Sequence, residues 1–202
     1  MRSILLALLV AAGLITPAFA QSPREAEGAS KDAAAAAPVI PSRDERLDSL
    51  FTTLKSTSDK DAAKAAENDI ITLWLESGSD TVDLMMSWTL AAIEEKDYGL
   101  ALDYLDRMLV MKPDYAEGWN KRATVHFLRD DYPKAIADIE RTLAVEPRHF
   151  GALSGLGTIM RDIGDKDRAL TAYKKALEID PNLETVKEAV TEIESELAGR
   201  ET

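Results

Sequence analysis

His126 and His149 are the two histidines of this 202-residue chain, and there is no cysteine anywhere. Thiol catalysis, thiolate metal sites and disulfides are therefore excluded. The histidines lie 23 residues apart, and neither has a second histidine at metal-ligating spacing. His126 sits in a helical stretch and reads as a packed ring with its polar atoms satisfied. His149 is placed at the start of a helix, where it can face a groove; a pH-sensing role has nothing else behind it. The run Gly151-Ala152-Leu153-Ser154-Gly155-Leu156-Gly157 fits neither a nucleophile elbow nor a phosphate loop, because the glycine spacing is wrong and no strand precedes it. The glutamates between 184 and 196 follow helical spacing and spread around a surface, with no loop of alternating oxygens to hold calcium. No catalytic constellation and no cofactor site emerge, so the expectation is a binding protein, not an enzyme.

The elements that position these residues begin after an export signal. Arg2 precedes an apolar run from Ile4 to Ile15, and Ala18-Phe19-Ala20 forms a small-x-small cleavage site. Residues 1–20 are therefore expected to be a cleaved signal peptide, since the run is well short of the ~20 residues that span a bilayer. No later segment is apolar enough to span. Residues 21–43 combine Pro23, Pro38 and Pro41 with an alanine run and scattered charge, the composition of a flexible linker. The net charge is −12, and removing Arg2 makes it more negative. That argues against nucleic acid, which needs clustered Lys and Arg, and against direct adhesion to anionic lipid.

From Asp44 onward the apolar spacing is helical. Leu47, Leu50, Phe51 and Leu54 mark one helix, and Ile70, Ile71, Leu73, Trp74 and Leu75 mark a second, which Gly78 stops. This pair, 44–80, is expected to be a degenerate repeat that caps the N-terminal end of a helical array, with Ala65 and Ala66 as its close-approach residues. A shift of 34 residues then superimposes Asp97, Asp131 and Asp165; Ala101, Ala135 and Ala169; Leu109, Leu143 and Leu177; and Pro113, Pro147 and Pro181. Thr89, Ala123 and Gly157 form a column of small residues. The array thus has three units, 82–115, 116–149 and 150–183, each predicted as two antiparallel helices that approach closely at the small residues. The aspartates fall where a second helix begins and can cap it, Pro133 suits a first helical turn, and the prolines at 113, 147 and 181 end each unit. Residues 184–202 are predicted as a capping helix and tail, with Val186, Val190, Ile193 and Leu197 on one stripe.

The second unit, AEGWNKRATVHFLRDDYPKAIADIERTLAVEPRH, resembles a tetratricopeptide repeat in its tryptophan, small residue, tyrosine, alanine and terminal proline. The resemblance spans 82–183. It implies an all-α, right-handed α-solenoid of helix-turn-helix units with flanking cap helices, whose first helices line a concave face used for partners. The groove slots it implies are Asp83, Met86, Leu90 and Ile93 in the first unit. In the second they are Glu117, Asn120, Thr124 and Phe127, and in the third Ser154, Thr158 and Arg161. Met86 and Phe127 would be apolar anchors beside an amide and hydroxyls, a mixture suited to a peptide or helix. Of the slots that grip a terminal carboxylate in one subset of the family, only Asn120 matches, while Leu90 and Thr158 depart, so that mode is disfavoured. His126 falls in a slot usually filled by an aromatic. Arg122 stands where the family usually has leucine, and a charge placed between helices calls for Asp103, Asp106 or Asp138 as its mate, with a ligand contact in an open groove as the alternative. The implied role is a protein-protein interaction scaffold in the bacterial periplasm, with a secreted effector as the alternative and an enzyme with an unrecognised site as a minor one; the sequence leaves partner and oligomeric state open.

Overall fold

A computed structural model describes residues 41–199, and the signal and most of the linker expected from the sequence lie outside the described residues. Among residues 41–199 all regular structure is helical. The helices are α1 (Arg43–Ser56), α2 (Lys60–Leu75), α3 (Asp80–Glu94), α4 (Tyr98–Met111), α5 (Ala116–Leu128), α6 (Tyr132–Val145), α7 (Phe150–Asp162), α8 (Lys166–Ile179) and α9 (Glu184–Ala198). None is long and apolar enough to cross a membrane. The first begins one residue before the predicted start because Ser42 and Glu45 form a reciprocal capping box, each side chain bonded to the other's backbone N–H.

The pairs α3/α4, α5/α6 and α7/α8 each pack as a hairpin, and α4 meets α5, α6 meets α7 and α8 meets α9. Gly157 shows why the small column is needed: a Cβ there would lie 2.5 Å from the Tyr173 ring on α8. Asp97 and Asp165 accept from the backbone N–H of Leu100 and Arg168, capping α4 and α8. Asp131 makes no such bond; it pairs with the Lys134 ammonium at 2.6 Å instead, in a first turn that also holds Pro133. The tight turns inside the pairs place Lys96, Asp130 and Gly164, again 34 residues apart, at φ of 60°, 58° and 85°. Only the third carries the residue that adopts this region freely. Beyond α8, Val186, Ala189 and Ile193 of α9 close the core formed with Met160, Ala169 and Tyr173.

The expectation for 44–80 is corrected. The α1/α2 hairpin does not stack in front of α3 as a further repeat; it lies across the turns that join one unit to the next. Its core of Leu47, Phe51, Leu54, Ile70, Leu73 and Trp74 is completed by Phe150, with Ile179 and Leu183 packed against it. Ala63 and Ala66 are the small buried residues, whereas Ala65 is exposed. Polar contacts fix the crossing at three successive turns. The Tyr115 hydroxyl donates to the Leu75 carbonyl at 2.8 Å, and Arg148 pairs with Asp48 at 2.6 Å while lying over the Phe51 ring. Asn182 Nδ2 donates to the Leu54 carbonyl at 3.2 Å. Each large apolar side chain buried this way contributes about 1.5–3 kcal/mol.

Candidate functional site

The first helices α3, α5 and α7 carry the predicted groove residues, and the structure brings four of them together. Asn120, Thr124 and Phe127 of α5 and Thr158 of α7 line a pocket of about 200 Å³, floored by Ala123, Ile139, Gly155 and Ile159. The i, i+4 spacing of Asn120 and Thr124 puts both on one helical face. Gly155 makes the depth: a Cβ there would meet nothing closer than the Ile139 Cδ1 at 3.9 Å. Thr124 Oγ1 donates to the Asn120 carbonyl at 3.0 Å and Thr158 Oγ1 to the Ser154 carbonyl at 3.1 Å. Their protons are thus engaged inside their own helices; the Thr124 oxygen is left to accept, whereas the Thr158 oxygen already takes the Tyr173 hydroxyl at 3.1 Å. Asn120 Nδ2 donates to Glu117 at 3.2 Å, which turns the amide oxygen into the remaining polar handle. The surface therefore offers acceptors to backbone N–H groups beside one apolar recess. At this volume the recess suits a single medium side chain; drug-sized or cofactor sites occupy ~300–1,000 Å³.

The other slots divide. Leu90 on α3 is exposed, Ser154 is half-buried with its hydroxyl bonded to the Phe150 carbonyl, and Arg161 at the far end of α7 lies 3.9 Å from Glu192 of α9. Met86 is not in the groove. At 2% exposure it belongs to the cluster of Val82, Leu105, Tyr115 and Val125, because an unbranched, flexible side chain folds into the space between units instead of standing out. Asp83 accepts from the Ser77 N–H at 2.8 Å and so fixes the α2–α3 connection, and Ile93 packs against the same cluster as Met86.

Glu117 and His149, both buried, form a pair that the sequence did not suggest. His149 does not face the groove. It caps α7 through Nδ1, which accepts from the Ala152 N–H at 3.1 Å, and this leaves Nε2 to donate to the Glu117 carboxylate at 2.9 Å. The imidazole stacks on Trp74 of α2, with ring centroids 4.0 Å apart and 10° between planes. Burial alone would raise the Glu117 pKa, but the His149 bond and Lys121, 2.7 Å away, hold it below the ordinary carboxylate value. The pair therefore ties α5, α7 and the crossing hairpin together.

Arg122 makes the structural ion pair. Its Nε and Nη2 bind both oxygens of Asp138 at 2.8 and 2.7 Å, and Nη1 reaches Asp106 at 2.7 Å. Asp103 takes no part in it. The guanidinium also lies 4.7 Å over the Trp119 ring, whose Nε1 donates to the Pro113 carbonyl. His126 departs from the expectation of a satisfied ring: its buried Nδ1 has no partner, Nε2 is 3.8 Å from Asp138, and burial lowers its pKa. Among the described residues no group of three His, Asp or Glu could hold a metal.

Tetratricopeptide-repeat family models match residues 90–149 and 120–184. A TPR repeat-containing protein of Rhizobium etli is 46% identical over 158 residues, 78% of this chain and 78% of its own. The small glutamine-rich tetratricopeptide repeat-containing protein 2 of Saccharomyces cerevisiae is 31% identical over 121 residues, which cover 60% of this chain but 35% of that protein. Among solved structures, the Sgt2 TPR domain from Aspergillus fumigatus has a TM-score of 0.57 at 25% identity, covering 61% of this chain and 83% of its own. The first TPR of Spaghetti (RPAP3), bound to an HSP90 peptide, has a TM-score of 0.55 at 19% identity, covering 58% and 93%. Repeat period, helix pairing and the Rhizobium relative agree, and the chain belongs to the tetratricopeptide-repeat family.

Proposed function

We propose that this protein is a non-catalytic scaffold that binds an extended peptide or a helix of another protein along its concave face. The observation that carries the reading is the recess between α5 and α7, where amide and hydroxyl acceptors from Asn120 and Thr124 stand over an apolar floor beside Phe127, with Thr158 on the opposite wall. That combination suits a backbone whose N–H groups need acceptors and whose one apolar side chain needs a hole. The peptide-bound Spaghetti domain supports the mode of binding in general. Leu90 and Thr158 stand at two slots where the family resemblance would call for polar residues to clamp a terminal carboxylate, and the Asn120 amide is engaged with Glu117. The ligand in this protein is therefore read as an internal segment.

Photo-crosslinkers at Thr124 and Arg161 are expected to capture the same protein, and one at exposed Glu140 on α6 to capture none of it. Capture at Glu140 alone would place the binding surface elsewhere. Filling the recess with Gly155→Leu is expected to weaken capture at least tenfold at unchanged helicity.

The setting proposed is the bacterial cell envelope. The reading rests on Arg2, the apolar run to Ile15 and the Ala18-Phe19-Ala20 site, together with an acidic chain that has little to offer nucleic acid. Fractionation of cells expressing the protein at native level tests it. Recovery from the periplasm with a new N-terminus at Gln21 is expected; recovery chiefly from the medium would favour a secreted effector.

A further inference from the structure

The first stacked unit has an end that nothing described covers. α5 and α7 each rest on the second helix of the preceding unit, whereas the crossing hairpin, drawn to the inter-unit turns, meets the first unit's core through Leu75. The consequence is visible in register. Trp88 on α3 occupies the position from which Arg122 reaches back to Asp106 on α4 and at which Leu156 packs inward. Trp88 is 47% exposed, Leu84 49%, Met111 55% and Val110 84%. With Tyr104, whose ring lies 5.6 Å from that of Trp88, these residues wall a hollow of about 800 Å³.

Two observations decide what fits there. The first is size. Leu84 corresponds to Gly118 and Ala152, where the internal units admit the neighbouring helix closely; a Cβ on Gly118 would already lie 3.0 Å from Leu109 of α4. A further helix cannot seat on α3 in the internal manner with Leu84 in its way, so the occupant must be a broad surface held at wider spacing. The second is charge. Asp80 and Arg107 line the same hollow and neither is ion-paired within the described residues. One unpaired anion and one unpaired cation on a single face are self-complementary under a two-fold axis, which brings each Arg107 to the Asp80 of the other copy. The exposed parts of Leu84, Trp88, Val110 and Met111 amount to roughly 400–500 Å² per copy, the size of the largest apolar patches on monomers. With the polar rim the face approaches the ~800 Å² per partner of an ordinary specific interface.

We propose that this end face is a homodimer interface, two copies apposing α3 and α4 with Leu84 and Trp88 at the centre and reciprocal Arg107–Asp80 pairs at the rim. Each dimer then carries two concave faces, and a partner with two binding segments would be held by both.

Sedimentation equilibrium of the purified protein, from nanomolar to high micromolar concentration, tests it. The wild type is expected to dimerise and Trp88→Glu to weaken association by at least ~30-fold, as loss of a central aromatic does. The Trp88→Glu urea midpoint is expected to match that of wild-type protein held at concentrations where it is monomeric, because the side chain is half exposed there. Arg107→Asp is expected to weaken the dimer and Arg107→Asp with Asp80→Arg to restore it. A wild type that stays monomeric throughout would overturn the proposal, whether the face stays open or the chain's own residues 1–40 cover it. So would a Trp88→Glu dimer as tight as wild type, or a failure of the charge swap to rescue.

Discussion

Replacing Arg122 with leucine, the residue the family usually has there, tests whether the ion pair is a structural necessity or a removable feature. The Asp138 carboxylate is 6% exposed and both of its oxygens are bound by Arg122, at 2.7 and 2.8 Å. Arg122→Leu strands that charge. Breaking a buried pair costs about 3–5 kcal/mol, and because the Arg122 side chain is still 21% exposed the lower end applies. The Asp106 arm adds at most about 1 kcal/mol, since that carboxylate is 62% exposed. Losing the cation over Trp119 costs about 0.5–1 kcal/mol, which the burial of a leucine offsets. The net expectation is a loss of about 3 kcal/mol. The double variant Arg122→Leu/Asp138→Leu removes the stranded charge and is expected within about 1 kcal/mol of wild type, because apolar replacement of a whole buried pair is commonly neutral or better. Urea unfolding followed by circular dichroism measures both; at a slope near ~2 kcal/mol/M the single variant should shift the midpoint by about 1.5 M with the slope unchanged. A single variant losing under 1 kcal/mol, or a double no better than the single, would refute the assignment of Asp138 as a desolvated, Arg122-dependent carboxylate.

Asp130→Gly relieves a left-handed backbone position at φ 58° and is expected to stabilise by about 0.5–1 kcal/mol, read as a higher thermal midpoint. Gly157→Ala places a methyl 2.5 Å from Tyr173 and should cost about 1–3 kcal/mol in the same assay, since helix α7 must move off α8. Asp180 is buried, Oδ2 has no partner, and burial raises its pKa above the ordinary 3.8. The folded state therefore holds this proton more tightly than the unfolded one, and stability from this group falls as pH rises through that window; Asp180→Asn should stabilise at pH 7 and lose its advantage in acid. Glu117 has the opposite sign: its folded pKa lies below the ordinary 4.5, so its contribution is complete above that pH and is lost as pH falls through the folded value. Glu117→Gln should destabilise at pH 7 and flatten the acid limb of the stability profile.

The repeats were legible because a period of 34 residues recurs in residues that act locally: small residues where helices touch, aspartates at helix starts, prolines at ends. Arg122 was legible in kind, since a cation between helices demands carboxylates, and two of the three aspartates considered are its partners. The crossing hairpin was not. Leu47, Phe51, Leu54 and Trp74 announce that a face will be buried but not against what, and the receiving residues His149, Phe150, Ile179 and Leu183 sit at turns where no periodicity reads them as one surface. Met86 was misplaced for a related reason: a slot in a repeat fixes where Cα lies, while a long flexible side chain chooses between groove and core according to the space behind it.

A chain of stacked helix pairs in which each touches only its neighbours behaves as a soft coil that can stretch and unwind one turn at a time. Here a brace joins residues as far apart as Leu54 and Asn182 across that coil. Elastic compliance along the axis is given up: the pitch is set before any guest arrives, so the entropy of shaping the concave face is spent during folding and not at the moment of contact. The same brace raises the mean sequence separation of contacts, so this protein should fold more slowly than an unbraced array of equal length and come apart in one step instead of fraying from an end.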